Sequence, residues 1–392
     1  MKKLLALVLA SVICLSCFAF AGCSKADENV IKIGVFEPAS GQNAAGGKQE
    51  ILGMKYANTL KPTVTIDGTE YTVKLVEADN ASDDTKAITA AQTLIDAGCS
   101  VILGSYGSSV SIAAGTYYKN AKIPAIGCSC TNSAVTEGND YYFRVCFLDP
   151  FQGTVMANFA AKEKGAKNAL VVTEAGDAYS EGLGSCFTTA FEALGGKVTS
   201  KTFQTNETNF KSLLQTAVDS DIDVIFAPSS IASAPLIIAQ ARELGITCPI
   251  MAGDTWENQS IIENAGASAT DVYLSTFFDE ADTSGAEFVN GFKAFLNSDS
   301  ANLTNNGGND GVAAVSALGF DAYMTAIAAI EKAQSKDGTA IRDALATLEY
   351  ADAVTGAVKF DANGDAEKST AYIKTIDVEN ACFNFIKLQS ID

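Results

Sequence analysis

Val101-Ile-Leu-Gly-Ser-Tyr-Gly-Ser-Ser109 and Ile123-Pro-Ala-Ile-Gly-Cys-Ser-Cys-Thr131 share one pattern. Each is a short apolar run that breaks into glycine and hydroxyl residues. Between them, Val110 to Asn120 reads as a helix. Short apolar runs bounded by turn residues and separated by a helix indicate buried parallel strands joined by a crossover. In an open parallel sheet, ligands sit at the carboxyl ends of the strands, near helix N-termini. Hydroxyls and free backbone N–H groups at that edge can hold an anion without carrying charge. The two loops therefore point to a small-molecule site, with Ser108, Ser109, Ser129 and Thr131 as its first candidates.

The same alternation extends in both directions. Upstream, Ile31 to Phe36 reads as a strand, Lys48 to Leu60 as a helix and Tyr71 to Ala78 as a strand. Ser82 with Asp83 and Asp84 supplies a capped helix start, and Gly98 ends that helix. Tyr142 to Phe147 is a further strand leading into Asp149-Pro150. Downstream the pattern restarts. Helices near 151–164, 179–194, 210–218 and 232–244 alternate with strands near 169–173, 197–203, 223–227, 249–252 and 271–277. Two such series predict an α/β chain of two doubly wound parallel-sheet lobes. The end departs from alternation. Phe288 to Leu296 and Gly311 to Ala333 read as helices. Val354 to Phe360 and Ala371 to Val378 read as paired strands around the Asn363-Gly364 turn. Asp361, Asn363 and Asp365 imitate a calcium loop, but Ala366 and Tyr372 stand where its Gly and Glu are required.

Composition narrows the function. The 392 residues exceed what one core usually holds. A net charge of −19 with no basic stripe argues against nucleic acid as a partner. The chain contains no histidine. That excludes Ser-His-Asp and Cys-His catalysis and His-ligated metal. No S-x-x-K or G-x-S-x-G motif replaces them, so an enzyme is not expected. No cofactor or metal is implied either.

Lys2 and Lys3, an apolar stretch from Leu4 to Phe20, and Ala21-Gly22 before Cys23 form a secretory signal. The cysteine after Ala-Gly resembles a bacterial lipoprotein signal, cleaved before Cys23 and lipidated on it. Phe20 departs from the aliphatic residue usual in that motif. Cleavage removes two lysines and takes the net charge from −19 to −21. No later run approaches the length of a spanning helix. Beyond the signal and Cys23, seven cysteines remain: Cys99, Cys128, Cys130, Cys146, Cys186, Cys248 and Cys382. An odd, scattered set is not a disulfide framework and reads as small buried hydrophobes.

Two residues stand opposite the hydroxyl loops. Tyr179 follows a second-lobe strand in Gly176-Asp-Ala-Tyr-Ser-Glu-Gly182, and Asp254 follows another in Met251-Ala-Gly-Asp-Thr-Trp256. One lobe thus offers neutral donors and the other a carboxylate. That polarity suits an amino acid, its carboxylate on the hydroxyls and N–H groups and its ammonium on Asp254.

In order and spacing, Ser40-Gly41, Gly107-Ser108-Ser109, Ser129-Cys130-Thr131, Tyr179-Ser-Glu-Gly182, Gly253-Asp254 and Val354-Thr-Gly-Ala-Val-Lys-Phe-Asp361 carry a resemblance. From about Ile31 onward the chain resembles the leucine/isoleucine/valine-binding proteins, extracellular solute-binding components of branched-chain amino acid ABC transporters. The resemblance implies the type I periplasmic binding fold, with a multi-strand hinge between lobes. It implies lobe 1 over 31–145 plus 277–353 and lobe 2 over 146–276 plus 354–392, after a signal at 1–22 and a tether at 23–30. It implies that Ser108, Ser129 and Thr131 hold the ligand's carboxylate and part of its ammonium. Asp254 would pair with the ammonium, and Tyr179 would line the second-lobe face. The partners implied are a small amino acid, a membrane permease with its ATPase, and the outer face of the cell membrane through the lipid. Gln42 stands where the family often has Pro, and Gly46 where an aromatic wall is common. Tyr106 and Trp256 would fill part of the side-chain pocket. An amide, urea or aromatic acid ligand, or a ligand-sensing role, are the competing readings.

Overall fold

The computed structural model describes residues 29–391; the signal and Cys23 lie outside them. The first sheet holds β1 (Val30–Glu37), β2 (Thr63–Ile66), β3 (Thr69–Asp79), β4 (Val101–Leu103), β5 (Ala125–Gly127) and β6 (Tyr142–Arg144). Their order is β2-β3-β1-β4-β5-β6. All pairs are parallel except β2 with β3. The second sheet holds β7 (Asn168–Glu174), β8 (Lys197–Phe203), β9 (Val224–Phe226), β10 (Ile250–Ala252) and β11 (Val272–Thr276), with two C-terminal strands described below. The order of its parallel part is β11-β10-β9-β7-β8. Strand order reverses beside β1 in the first sheet and beside β7 in the second. Loops leaving such reversals spread apart and leave a crevice at the strand ends.

The apolar runs become strands because they are buried on both faces. β4, β5, β9 and β10 are fully buried three-residue strands. Helices Asp84–Asp96 and Ser108–Ala121 cover one face of the first sheet around Phe36, Leu94, Ile102, Tyr118 and Tyr142. Helix Ala44–Leu60 packs along helix Ala314–Ala333 on the other side. Here the backbones nearly touch. A Cβ on Gly53 would lie 1.9 Å from the Ser316 carbonyl oxygen, and one on Gly319 would lie 2.3 Å from that of Glu50. Only glycine at both positions permits this approach, which fixes the helix that carries Glu50.

Helix Ala314–Ala333 corrects one expectation. Its 20 residues are long and apolar enough, by composition, to cross a membrane. Yet 83% of its most apolar window is buried inside the protein. It is a core helix, apolar all round because it is enclosed all round.

The C-terminal hairpin is also corrected. The Asp361–Asp365 turn forms, with the Gly364 N–H donating to the Asp361 carbonyl and Gly364 at φ +92°. After the Phe360–Ala366 bridge the two arms part. β13 (Val358–Lys359) pairs with β12 (Glu349–Tyr350). β14 (Ala371–Asp377) pairs with β11 and with β15 (Cys382–Gln389), both antiparallel. Where the arms separate, Asp365 pairs with the buried Arg144 at 2.6 Å, and each arm takes another strand as its partner. All seven cysteines are free thiols; Cys99, Cys128, Cys130 and Cys146 are buried.

Candidate functional site

The first loop leaves β4 and enters helix Ser108–Ala121, whose N-cap, Gly107, offers no side chain. The first N–H groups of that helix are therefore not capped from within. Ser108 is buried at its first position, and its Oγ accepts from the Asn132 N–H at 3.2 Å. The hydroxyl proton remains to be donated. Ser109 has a different task. Its hydroxyl donates to Asp177 Oδ1 at 2.9 Å and accepts from the Ala178 N–H at 2.8 Å. It clasps the start of helix Ala178–Ala193 across the cleft, so its side chain is occupied by the second lobe rather than left to a ligand.

The second loop follows β5. Ser129 is buried and its hydroxyl donates to Glu50 Oε1. Thr131 is fully buried, and its Oγ1 has no hydrogen-bond partner. Arg144 holds this loop from behind. Its Nη1 donates to the carbonyls of Cys130 at 2.7 Å and Asn132 at 2.5 Å, the residues on either side of Thr131.

The opposite wall comes from the second lobe. Asp254 opens a short 3-10 turn after β10 and is 1% exposed. Its Oδ1 accepts from Gln152 Nε2 at 2.9 Å and from Tyr179 Oη at 3.3 Å. Burial pushes its pKa up to about 7, against the opposing effect of those hydrogen bonds. Thr255 Oγ1 lies 3.2 Å from Tyr179 Oη and 3.0 Å from the Ser229 carbonyl. Tyr106 crosses from the first lobe to donate to the Thr255 carbonyl at 3.3 Å. Its ring fills the space that Gly46 leaves. A Cβ there would lie 2.2 Å from Tyr106 Cε2. Trp256 is fully buried, its indole N–H donating to Ser229 Oγ at 3.3 Å. It is a core residue behind the wall. Further contacts shut the crevice: Asn132 Nδ2 to the Ala178 carbonyl at 2.6 Å, the Ile231 N–H to Asn43 Oδ1 at 3.0 Å, and Asn258 Nδ2 to Gln49 Oε1 at 3.0 Å.

Two lobes closed over neutral donors on one side and a carboxylate on the other form a solute-capture cleft. The periplasmic binding protein family model matches residues 30–380. The chain belongs to the periplasmic binding protein family. It is 30% identical over 269 residues to an amino acid binding protein of Pseudomonas aeruginosa, covering 68% of this chain and 69% of that one. A Leu/Ile/Val-binding protein homolog of Brucella abortus is 27% identical over 360 residues, 90% and 91% of the two chains. Among solved structures, the leucine binding protein of Thermotoga maritima superposes with a TM-score of 0.84 at 32% identity, covering 92% of this chain and 99% of that one. A branched-chain amino acid binding protein of Streptococcus pneumoniae, in complex with isoleucine, gives 0.80 at 27%, covering 92% and 99%. This is a solute-binding protein of the ABC-transporter type, with the type I fold and a place among the branched-chain amino acid relatives.

The binding protein's cleft also holds residues that the sequence did not mark. Glu37 ends β1, and Glu50 and Cys128 lie beside it, with one ligating atom of each within 4.8 Å of the others. Burial, and then Glu50 next to it, hold the Glu37 carboxyl well above the usual range. Burial pushes Glu50 up to about 7 and the Cys128 thiol well above its ordinary value. A thiol that keeps its proton beside a carboxyl that keeps its own is a poor metal-ligand set. Asp149 is buried at the start of the next helix with neither carboxyl oxygen partnered. Burial pushes it up to about 8, and the neighbouring Thr131 hydroxyl opposes the shift. Gln152 sits one turn further, its Oε1 also unpartnered. Asp149-Pro150 was visible as a helix start. Nothing in Lys48-Gln-Glu50 distinguishes a buried Glu from a solvated one.

Proposed function

We propose that this binding protein captures an L-amino acid, branched-chain or otherwise small and aliphatic, and delivers it to a membrane permease and its ATPase. The observation that carries the reading is Asp254, a buried carboxylate at a strand end of the second sheet, while the first sheet contributes Ser108 at the uncapped N-terminus of helix Ser108–Ala121. The ligand carboxylate would lie on the helix N-terminus and the Ser108 hydroxyl. Its ammonium would lie on Asp254. A simple carboxylic acid would satisfy the first and leave the second alone, at the cost of a buried, unpaired acceptor. Titration calorimetry against the twenty amino acids tests this. Micromolar or tighter binding of at least one aliphatic member is expected, and silence across the panel would sink the reading. The relatives are binding proteins, and we assign the site capture rather than a reaction.

The raised Asp254 pKa makes capture pH-dependent. In the empty cleft its carboxyl titrates near 7. An ammonium beside it favours the ionised form, so below that pH binding must expel a proton. Affinity is therefore full above about pH 7 and falls as pH drops, by up to about tenfold per unit. Calorimetry at pH 6 in two buffers of different ionisation enthalpy reads the released proton directly. No release would contradict the pairing. The empty protein follows the opposite trend. Asp254, Glu50 and Asp149 titrate at about 7, 7 and 8, above the ordinary carboxyl range of about 4. Their contribution to stability is full below about pH 4 and is lost as pH rises from there through about 7 to 8.

We also propose that Cys23, outside the described residues, carries a lipid that holds the protein on the outer face of the cell membrane. The basic start, apolar stretch and Ala-Gly-Cys boundary support this. Cys23→Ser should move the protein from the membrane fraction to the medium or periplasm. Retention in the membrane would point to an uncleaved anchor.

A further inference from the structure

We infer that Glu50 is a positioning residue that sets the chemical class of ligand: by taking the Ser129 proton it turns that hydroxyl into an acceptor, completing an acceptor-lined subsite that needs a protonated amine. The inference rests on the amino acid reading above and deepens it. Its basis is proton accounting. A hydroxyl owns one proton. That of Ser129 goes to Glu50 Oε1, so only lone pairs remain for the cleft.

Glu50 is held in the acceptor role. It is fully buried on helix Ala44–Leu60, pinned by the Gly53 and Gly319 contacts. Its other oxygen, Oε2, and Glu37 Oε1 have no other partners. Glu37 and Glu50 stand beside each other, and the hydrogen bond between them raises Glu37 and lowers Glu50, which puts the proton on Glu37. Glu37 Oε2 accepts the Tyr106 N–H at 2.8 Å, so Glu37 can place its proton only towards Glu50. Glu50 then only accepts, from Glu37, from Ser129 and from the Cys128 thiol.

Two more acceptors stand open nearby. Gln152 spends its amide N–H groups on Asp254 Oδ1 at 2.9 Å and Ser275 Oγ at 3.1 Å, which leaves Oε1 unpartnered and buried. Thr131 is the second: its hydroxyl proton is directed at the neighbouring Asp149 carboxyl, whose raised pKa it opposes, so its lone pairs are what remain open. Gln152 lies directly against Asp254, and Asp254 is close enough to Glu50 to raise its pKa, so these acceptors belong to one buried neighbourhood. Ser108 and the helix N-terminus supply the donors of the first-sheet side. Buried acceptors left empty are costly. A protonated amine, with three N–H donors, fills them; a keto or carboxyl oxygen cannot.

The test is a selectivity ratio. The probes are the amino acid bound most tightly in the twenty-member screen and the 2-oxo acid of the same carbon skeleton, titrated into wild type, Glu50→Gln, Ser129→Ala and the double variant. In Glu50→Gln, the Glu37 acid donates to the introduced amide oxygen, so the amide N–H₂ faces Ser129. The serine proton is then returned to the cleft. The expected result is a fall of at least tenfold in preference for the amino acid over the oxo acid. In the Ser129→Ala background the same substitution should change the ratio less than twofold. An unchanged ratio in Glu50→Gln, or equal loss of both ligands, overturns the inference and leaves the amino acid reading intact. Should Glu50→Gln fail to fold, Ser129→Ala alone must lower the ratio, and an unchanged ratio there overturns it equally. Absence of binding to every amino acid by wild type overturns the amino acid reading and this inference with it.

Discussion

Asp254→Asn weakens amino acid binding by about 100-fold, close to 2.7 kcal/mol. Asn preserves the volume of the side chain and one acceptor oxygen, but it carries no charge. The ammonium would then enter a cleft where Asp254 is 1% exposed and find no counter-ion. Truncating one partner of a buried, hydrogen-bonded charge pair costs roughly 2–5 kcal/mol, largely because the other charge is left unpaired. The new amide N–H₂ also meets Gln152 Nε2 and Tyr179 Oη, which both donate to Oδ1 in the native chain. The empty protein should respond in the other direction. Burial works against the Asp254 carboxylate, so removing its charge should leave the melting temperature unchanged or raised near pH 8. Lost binding with kept stability is the signature of a ligand contact. Calorimetry and a thermal melt on one preparation measure both, and affinity within threefold of wild type would remove Asp254 from the site.

Arg144→Met has the largest expected effect on folding. The Arg144 side chain is fully buried. Its Nε pairs with Asp365 at 2.6 Å, Nη1 holds the Cys130 and Asn132 carbonyls, and Nη2 donates to Thr136 at 3.1 Å. Met matches much of the volume and supplies none of these donors. Breaking a buried pair from one side costs roughly 3–5 kcal/mol. For a chain of this size the melting temperature should fall by roughly 5 °C or more. Ligand affinity should fall as well, because the carbonyls on both sides of Thr131 lose their tether. Adding Asp365→Asn should recover part of the lost stability, since it removes the orphaned charge. A single variant that melts within 1 °C of wild type, roughly the span of a ΔΔG too small to count, would show that the pair is not what holds the loop.

Much of the fold was open to reading because it is locally encoded. Runs such as Val101–Leu103 and Ile250–Ala252 are apolar throughout, which only a doubly covered strand requires. The reading failed where a strong local signal competed with a distant partner. Asn363-Gly364 makes the turn its residues favour, yet the flanking arms leave it for Arg144, β12 and β11. The 314–333 helix shows the same limit. Its composition suits lipid or a protein core, and only its neighbours distinguish them.

The candidate site divides along the same line. Ser108, Ser129, Thr131, Tyr179 and Asp254 could be named because each follows an apolar strand, and strand ends are where such crevices open. Their hydrogen bonding could not. Ser109 turned out to clasp Asp177, and Trp256 to sit in the core against Ser229. Glu50 and Gln152 lie on helices whose polar residues read as solvent-facing, because periodicity does not show that a second lobe covers them. The alternation of elements, the strand-end loops and the absence of imidazole were determined by the sequence alone, since each depends on residue type and short spacing. Which way each hydroxyl points its proton was decided only by the tertiary structure. Ser129 meets a carboxylate 79 positions away and Asp254 an amide 102 away. A donor becomes an acceptor only when such a partner arrives.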